Sequence, residues 1–192
     1  VFNRAKVEAG SSVLVIGAGG VGLNTIQAAV IAGATKIIAV DISKTKLEMA
    51  LEFGATHVID ASKTDPVQEA KLLTGGHGVD YAFEVIGNPV TIRQAYDATR
   101  VGGMAVVVGV AHQEAEVRIN ALEIPFQEKI LTGSMYGGTR PDIDVNRLIE
   151  LYRMKKLKLE PLVTKTYGLE EINGAFDDME KGILARGLIL YN

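Results

Sequence analysis

The fold of this 192-residue chain is decided by residues 13–22, which read VLVIGAGGVG. The first four residues are apolar, as in a strand whose two faces are both buried in a sheet. The next six have the form G-x-G-x-x-G and lead into a stretch, residues 20–32, with the pattern of a helix. A glycine-rich turn directly after a buried strand and at the start of a helix is the local signature of a dinucleotide-binding unit.

The glycines of this motif have separate predicted roles. Gly17 permits the tight turn, Gly19 lets the backbone approach a pyrophosphate without a Cβ, and Gly22 allows the helix to pack closely on the strand. Gly20 and Val21 open the helix, where unpaired N–H groups and a partial positive charge favour phosphate. We therefore predict that these five residues form the cofactor-binding turn.

Asp41 lies at the end of the second predicted strand, 19 residues after Gly22. A carboxylate at this place accepts hydrogen bonds from the hydroxyls of the adenine ribose, and it repels a 2′-phosphate. No arginine adjoins Asp41, whose neighbours are Ile42 and Ser43. The pattern therefore predicts NAD rather than NADP, and replacing Asp41 by alanine should weaken NADH binding.

Apolar runs alternate with amphipathic stretches along the rest of the chain. The six predicted strands are residues 13–16, 36–40, 57–59, 79–86, 104–110 and 129–133. Strands that alternate with helices through short connections are typical of a parallel sheet covered on both sides. We predict an α/β fold, a Rossmann doubly wound parallel six-stranded sheet with helices on both faces.

The composition changes at residues 137–141, which read GGTRP and resemble a linker. We therefore predict an NAD-binding Rossmann domain at residues 1–141 and a small C-terminal α+β segment at residues 142–192. Within the segment we expect a helix around 145–156, a strand at 162–167, a helix at 169–179 and a strand at 187–191.

Composition excludes several other classes of function. The net charge of −3 argues against nucleic acid as a partner, and no apolar run is long enough to span a membrane. The chain has no cysteine and three separated histidines, so it offers no disulfide and no zinc site of thiolates or histidines. No basic-then-apolar signal opens the sequence, and we expect a cytoplasmic protein.

Several segments, together with the glycine motif, resemble the zinc-type alcohol dehydrogenases of the medium-chain dehydrogenase/reductase superfamily. They are residues 5–10 (AKVEAG), 40–42 (VDI), 53–56 (FGAT), 83–87 (FEVIG), 108–110 (VGV), 133–138 (GSMYGG), 171–173 (EIN) and 187–189 (GLI). The resemblance covers essentially the whole chain and is greatest to the NAD-dependent alcohol or formaldehyde branch.

The resemblance implies roles for residues outside the glycine motif. Lys46 would approach the adenosine ribose, and Arg186 would contact the pyrophosphate. The loop along the adenine and ribose would be Val85, Ile86 and Gly87. Backbone groups would hold the nicotinamide at Val108, Gly109 and Val110, and its carboxamide at Ser134, Met135 and Tyr136.

In this family a separate N-terminal domain carries the ligands of the catalytic zinc, and no such ligands occur here. The resemblance thus implies a cofactor-binding half that is inactive alone, with zinc held only by the absent domain and neither a catalytic residue nor a metal ligand in this chain. The intact enzyme would transfer a hydride between a small-molecule alcohol and NAD, giving an aldehyde or ketone. It would be a homo-oligomer in which residues 129–133 extend the sheet across a dimer.

Two other functions stay open at this point. One is a non-catalytic NAD(H)-binding or sensing module, and the other is a zinc-independent quinone or enoyl reductase of the same superfamily. Tyr152 and Lys156 have the Y-x-x-x-K spacing of short-chain dehydrogenases, which is common by chance in a lysine-rich helix. His112 is interpreted as a solvated loop residue, and Glu84 as an acid near the cleft whose partner the sequence does not show.

Overall fold

A computed structural model of the chain describes residues 1–191. The chain divides into two compact units, Val1–Pro141 and a second unit that begins at Asp142.

The first unit contains a six-stranded parallel sheet with the order β3-β2-β1-β4-β5-β6. Its strands are β1 (Ser12–Ile16), β2 (Lys36–Asp41), β3 (His57–Asp60), β4 (Val79–Glu84), β5 (Thr99–Val107) and β6 (Ile130–Gly133). The direction in which strands are added reverses between β1 and β4, which makes this junction the switch point where doubly wound sheets bind ligands. The predicted fold class is therefore confirmed.

Five helices connect these strands: α1 (Gly20–Ala32), α2 (Lys44–Glu52), α3 (Pro66–Leu73), α4 (Pro89–Ala98) and α5 (Glu123–Gln127). Local chemistry explains several of their ends. Asp65 and Asn88 accept hydrogen bonds from the first-turn N–H groups of α3 and α4, each of which begins with proline. Gly33 ends α1 in the left-handed conformation, with φ of 86°.

The core of the first unit lies on both faces of the sheet. Val13, Leu14, Val15 and Ile16 are all buried, although successive side chains of a strand point to opposite faces. Leu23 and Ile26 of α1 are also fully buried. Such continuous apolar strands require cover on both sides, which is why the sequence reads as uninterrupted runs rather than as alternation.

The amino-terminal end of the sheet is tied together by Asp80. Its Oδ2 accepts hydrogen bonds from the backbone N–H and the hydroxyl of Ser12, at 2.8 and 2.7 Å, and its Oδ1 accepts one from Arg100 Nε at 2.6 Å. The backbone N–H of Asp80 in turn donates to Ser12 Oγ. One carboxylate thus joins the starts of β1, β4 and β5.

The second unit contains α6 (Pro141–Arg153) from its second residue onward, together with β7 (Val163–Gly168), α7 (Ile172–Glu180) and β8 (Arg186–Leu190). Strands β7 and β8 pair in parallel. The helix predicted around residues 145–156 was placed too late in the chain. Pro141 is the first residue of α6 because proline is well accommodated there. The helix ends at Arg153 rather than near Lys156 because Lys155 is left-handed, with φ of 57°.

Burial in the second unit is sparse. Among its described residues only Asp144, Leu162 and Tyr167 are buried. Tyr167 Oη donates to Asp178 Oδ2, which also accepts from Lys165 Nζ, so α7 is joined to β7 by polar contacts. As for membranes, no helix within residues 1–191 combines the length and the apolarity needed to cross a bilayer.

Candidate functional site

The carboxyl-terminal ends of the central strands bring most of the predicted site residues of the first unit to one edge of the sheet. The glycine turn follows β1, Asp41 ends β2, the loop 85–87 follows β4, and residues 108–110 follow β5. Parallel strands place their carboxyl ends on the same side, so residues distant in sequence meet there.

Asp41 is joined to the glycine turn by a hydrogen bond. Its Oδ2 accepts from the backbone N–H of Ala18 at 2.8 Å, and its Oδ1 accepts from the N–H of Ser43 at 3.0 Å. The N–H of Gly17 donates to the carbonyl of Val40 at 2.8 Å. Asp41 is only partly buried, so its carboxylate keeps free acceptor positions toward solvent.

The three glycines of the motif differ in what surrounds them. A Cβ on Gly22 would lie 1.8 Å from the carbonyl oxygen of Gly17, and one on Gly17, whose φ is +102°, would lie 2.8 Å from Ile86 Cγ1. A Cβ on Gly19 would meet nothing within 4 Å. The backbone of Gly19, with φ of −77° and ψ of −169°, suits any residue. The packing of this chain therefore explains Gly17 and Gly22 but leaves Gly19 without an internal reason.

The loop after β4 and the end of β5 contact each other backbone to backbone. A Cβ on Gly109 would lie 2.1 Å from the nitrogen of Gly87, and one on Gly87 would lie 2.4 Å from the carbonyl oxygen of Val110. The side chain of Val110 is 82 % exposed. Glycine at both positions allows these two predicted segments to form one continuous surface beside the glycine turn.

The segment 134–136 and Lys46, both predicted to bind the cofactor, also belong to the first unit. The N–H of Ser134 donates to the carbonyl of Val107 at 2.8 Å, which sets the segment 134–136 beside the end of β5. Tyr136 has a left-handed backbone and is 88 % exposed, and Met135 is exposed as well. Lys46 lies half-buried near the start of α2, the helix that follows Asp41.

Arg186 belongs to the second unit. It is the first residue of β8 and is exposed to solvent. Its predicted contact with a pyrophosphate therefore stays a prediction.

Glu84 is the residue whose importance sequence reasoning underestimated. Its side chain is fully buried, and its Oε1 accepts hydrogen bonds from the N–H groups of Ile86 and Gly87, at 3.0 and 2.8 Å, and from the hydroxyl of Thr91 at 2.8 Å. The signal available in the sequence was an acid that directly follows the apolar residues Ala82 and Phe83 at the end of a strand. Such a group needs internal donors, which here come from the following loop.

Tyr152 and His112, to which the sequence assigned no functional role, have ordinary surroundings. Tyr152 donates a hydrogen bond to Glu160, which raises the pKa of the tyrosine and so opposes a role as a catalytic base. His112 is exposed in the loop after β5. No group of histidine, aspartate or glutamate side chains suited to a metal ion occurs in the part of the chain that the structure describes.

Comparisons with known proteins agree with this geometry. The sequence profile of the zinc-binding dehydrogenases matches residues 20–153. The class-3 alcohol dehydrogenase of Cereibacter sphaeroides is 37 % identical over the whole of this chain, which covers 53 % of that protein.

Two solved structures are also similar. A zinc-binding-domain alcohol dehydrogenase protein from Burkholderia ambifaria has a TM-score of 0.95 and 36 % identity, with 100 % of this chain and 51 % of that chain covered. Benzyl alcohol dehydrogenase from Acinetobacter calcoaceticus has a TM-score of 0.94 and 36 % identity, with 98 % and 51 % covered. This chain thus spans about half the length of the relatives that it matches. Because the profile covers well over half of the sequence, the chain belongs to the zinc-binding dehydrogenase family.

Proposed function

We propose that the carboxyl-terminal edge of the six-stranded sheet binds NAD. The observation that carries this proposal is Gly19, which neither its backbone conformation nor any neighbouring atom requires to be glycine. A ligand that approaches the turn closely supplies the missing reason, and the start of α1 favours a pyrophosphate there. Asp41, bound to the same turn through Ala18, would accept the ribose hydroxyls.

The remaining predicted residues have supporting positions. The surface formed by 85–87 and 108–110 continues from the glycine turn, and residues 134–136 adjoin it through Ser134. These segments would hold the ribose and nicotinamide by backbone groups. Lys46 and Arg186 would add positive charge toward the adenosine and the pyrophosphate. When bound, NAD supplies the nicotinamide ring that accepts or returns a hydride.

The protein to which this chain belongs would oxidise an alcohol to an aldehyde or ketone with NAD, or catalyse the reverse reaction. Family membership and the similarity to alcohol dehydrogenases support this choice over a sensing module or a zinc-independent reductase. This chain would bind and orient the cofactor, which is the usual share of such a domain. Zinc would be held by another part of the protein, since the chain has no cysteine, and the enzyme would work in the cytoplasm.

The second unit would pack against that other part. Several of its apolar side chains are exposed, among them Phe176, Met179 and Leu188. A groove of about 240 Å³ between α7 and β8 is lined by Phe176, Met179, Leu184 and Ile189. Exposed apolar surface of this kind marks a contact site. Its cover would come from the half of the protein that the length of the relatives leaves unaccounted for.

We also propose a homo-oligomer formed through β6. This strand lies at the edge of the sheet, and Ile130 and Leu131 are 47 % and 38 % exposed. A regular, apolar edge strand can pair with its copy in a second molecule. A sedimentation mass equal to that of one polypeptide would count against this part of the proposal.

The binding proposal is tested by Asp41→Ala in a fluorescence titration with NADH and NADPH. Loss of charge-assisted hydrogen bonds should weaken NADH binding at least tenfold, whereas NADPH should lose much less, because its phosphate is no longer repelled (about 1.4 kcal/mol per factor of ten). Asp60→Ala is the matched control, since Asp60 ends the adjacent strand in register with Asp41. Unchanged affinity of the Asp41 variant for both nucleotides would refute the assignment.

The enzymatic proposal is tested by the mass of the polypeptide in its source cell. We expect roughly twice the 20.5 kDa of this chain, together with bound zinc and NAD reduction that depends on an added alcohol. A mass near 20.5 kDa would mean that no zinc-binding half belongs to the same polypeptide.

A further inference from the structure

Glu84 is a buried acid that the fold alone does not account for. It is fully buried, and its Oε2 is the one buried side-chain oxygen or nitrogen in residues 1–191 without a hydrogen-bond partner. No ion pair neutralises the side chain within that same range. Burying a carboxylate with one unsatisfied oxygen opposes folding.

A glutamine could replace this acid if folding were its sole purpose. The amide oxygen of glutamine is also an acceptor, with two lone pairs, and could take the place of Oε1 toward the N–H groups of Ile86 and Gly87. The replacement would also remove a buried charge. Glutamate differs from glutamine chiefly in the strength of the hydrogen bonds that it accepts. Hydrogen bonds to a carboxylate are shorter and about twice as strong as those to an amide.

The groups that this carboxylate holds are all beside the proposed cofactor site. Two of its donors, the N–H groups of Ile86 and Gly87, belong to the loop after β4, and the third is the hydroxyl of Thr91 in the first turn of α4. The main-chain carbonyl of Glu84 accepts from the N–H groups of Val108 and Gly109, at 2.8 and 3.1 Å. One residue therefore secures both loops, 85–87 and 108–110.

The position of the loop 85–87 also bounds the glycine turn. The nearest atoms to a Cβ on Gly17 are side-chain atoms of Val85 and Ile86. A loop that moved by a few tenths of an ångström would change the surface formed by Gly87 and Gly109, which already contact each other closely. A strong anchor for this loop matters more for a ligand than for the core below it.

We propose that Glu84 is a positioning residue for NAD, whose negative charge is needed to hold the loop 85–87 in the geometry that binds the cofactor. This inference rests on the proposed NAD site. Glu84 does not itself touch the cofactor, and it acts through the backbone of Ile86 and Gly87. The specificity for NADH over NADPH stays with Asp41, at the end of a different strand.

The test compares the protein with its Glu84→Gln variant by NADH and NADPH titration and by urea unfolding. We expect the NADH affinity of the folded variant to fall about tenfold and the ratio of NADH to NADPH affinity to stay unchanged. A group that serves only the fold would lower the midpoint and leave the affinity of the folded protein intact. The matched control is Asp80→Asn near the amino end of the same strand, which should lower the midpoint without altering affinity.

Thr91→Val provides a second variant that keeps side-chain volume and removes one donor to Glu84 Oε1. It should weaken NADH binding about threefold in the same direction. If the unaltered protein binds NADH while Glu84→Gln and Thr91→Val bind it equally well, the positioning role is wrong and the NAD site stands. If the unaltered protein does not bind NADH, both proposals fail.

Discussion

The polar groups at the two ends of the six-stranded sheet differ in how completely they are hydrogen-bonded within the chain. At the amino-terminal end, both oxygens of Asp80 receive hydrogen bonds from Ser12 and Arg100. At the carboxyl-terminal end, Asp41 keeps acceptor positions toward solvent, Glu84 keeps an unpartnered oxygen, and Gly19 faces open space. Asp80 is thus fully hydrogen-bonded within the chain, whereas the two acids at the carboxyl-terminal end keep unused hydrogen-bonding positions.

This difference shows how one scaffold separates stability from binding. A closed polar network contributes to stability and offers nothing to a ligand, because its hydrogen-bonding capacity is used. The free acceptor positions of Asp41 suit ribose hydroxyls, and the start of α1 beside them suits a pyrophosphate. Substitutions of Asp80 at the amino-terminal end and of Gly19 at the carboxyl-terminal end should therefore have opposite signatures, the first in stability and the second in binding.

The largest effect is expected from Gly22→Ala, which tests whether every glycine at the carboxyl end serves a ligand. The new Cβ would overlap the carbonyl oxygen of Gly17, so the helix must move away from the turn. We expect a loss of about 3 kcal/mol in the free energy of unfolding and a thermal midpoint lower by about 9 °C. Circular dichroism during heating measures this, and a midpoint equal to that of the unaltered protein would contradict the packing role.

Asp80→Asn should produce a smaller effect, confined to stability. We expect a loss of about 2 kcal/mol in the free energy of unfolding at neutral pH, because a charge-assisted network loses its anion. NADH affinity should not change. Weakened NADH binding in this variant would show that the two ends of the sheet are coupled and would break the comparison.

The same network predicts how this stabilisation depends on pH. Burial acts to raise the pKa of Asp80, but the hydrogen bonds from Ser12 and Arg100 outweigh it, so the pKa lies below its usual value. A depressed pKa in the folded state means that the stabilisation is complete above the unfolded value of about 3.9 and is lost as the pH falls further. The difference in urea midpoint between the protein and Asp80→Asn should therefore shrink below about pH 4.

Gly19→Ala should have the smallest effect in free energy, and it should separate the effect on binding from the effect on stability most clearly. Its methyl group enters open space and its backbone suits alanine, so the thermal midpoint should fall by only about 2 °C, the cost of alanine in place of glycine at the N-cap of α1. NADH binding should weaken about tenfold, or about 1.4 kcal/mol, because the methyl group occupies the space of close approach. Equal NADH affinity in both proteins, measured by titration, would remove the observation on which the proposed site rests.

Sequence reasoning predicted the sheet and its glycine turn well, and it was less accurate where burial is sparse. The strands of the first unit follow from continuous apolar runs and from glycines at their ends. In the second unit, α6 begins at Pro141 and ends at Arg153, and the linker-like composition of residues 137–141 concealed its start. A left-handed backbone at Lys155, which no residue type signalled, ends the helix early.

The sequence by itself determined the parts of the site that depend on neighbouring residues. A buried strand, a glycine turn and a helix follow one another within residues 13–32, and an acid at the end of the next strand is visible from spacing alone. Such features depend on local periodicity and backbone freedom, which a short stretch of sequence encodes.

Only the tertiary structure decided how these parts meet. The hydrogen bond from Ala18 to Asp41, the contact between Gly87 and Gly109, and the two loops held by Glu84 all join segments that follow different strands. Their distances depend on the order and register of the strands in the sheet, which arise from packing among residues far apart in the chain. The different surroundings of Gly17, Gly19 and Gly22 also depend on this packing, so the sequence alone does not distinguish the three glycines.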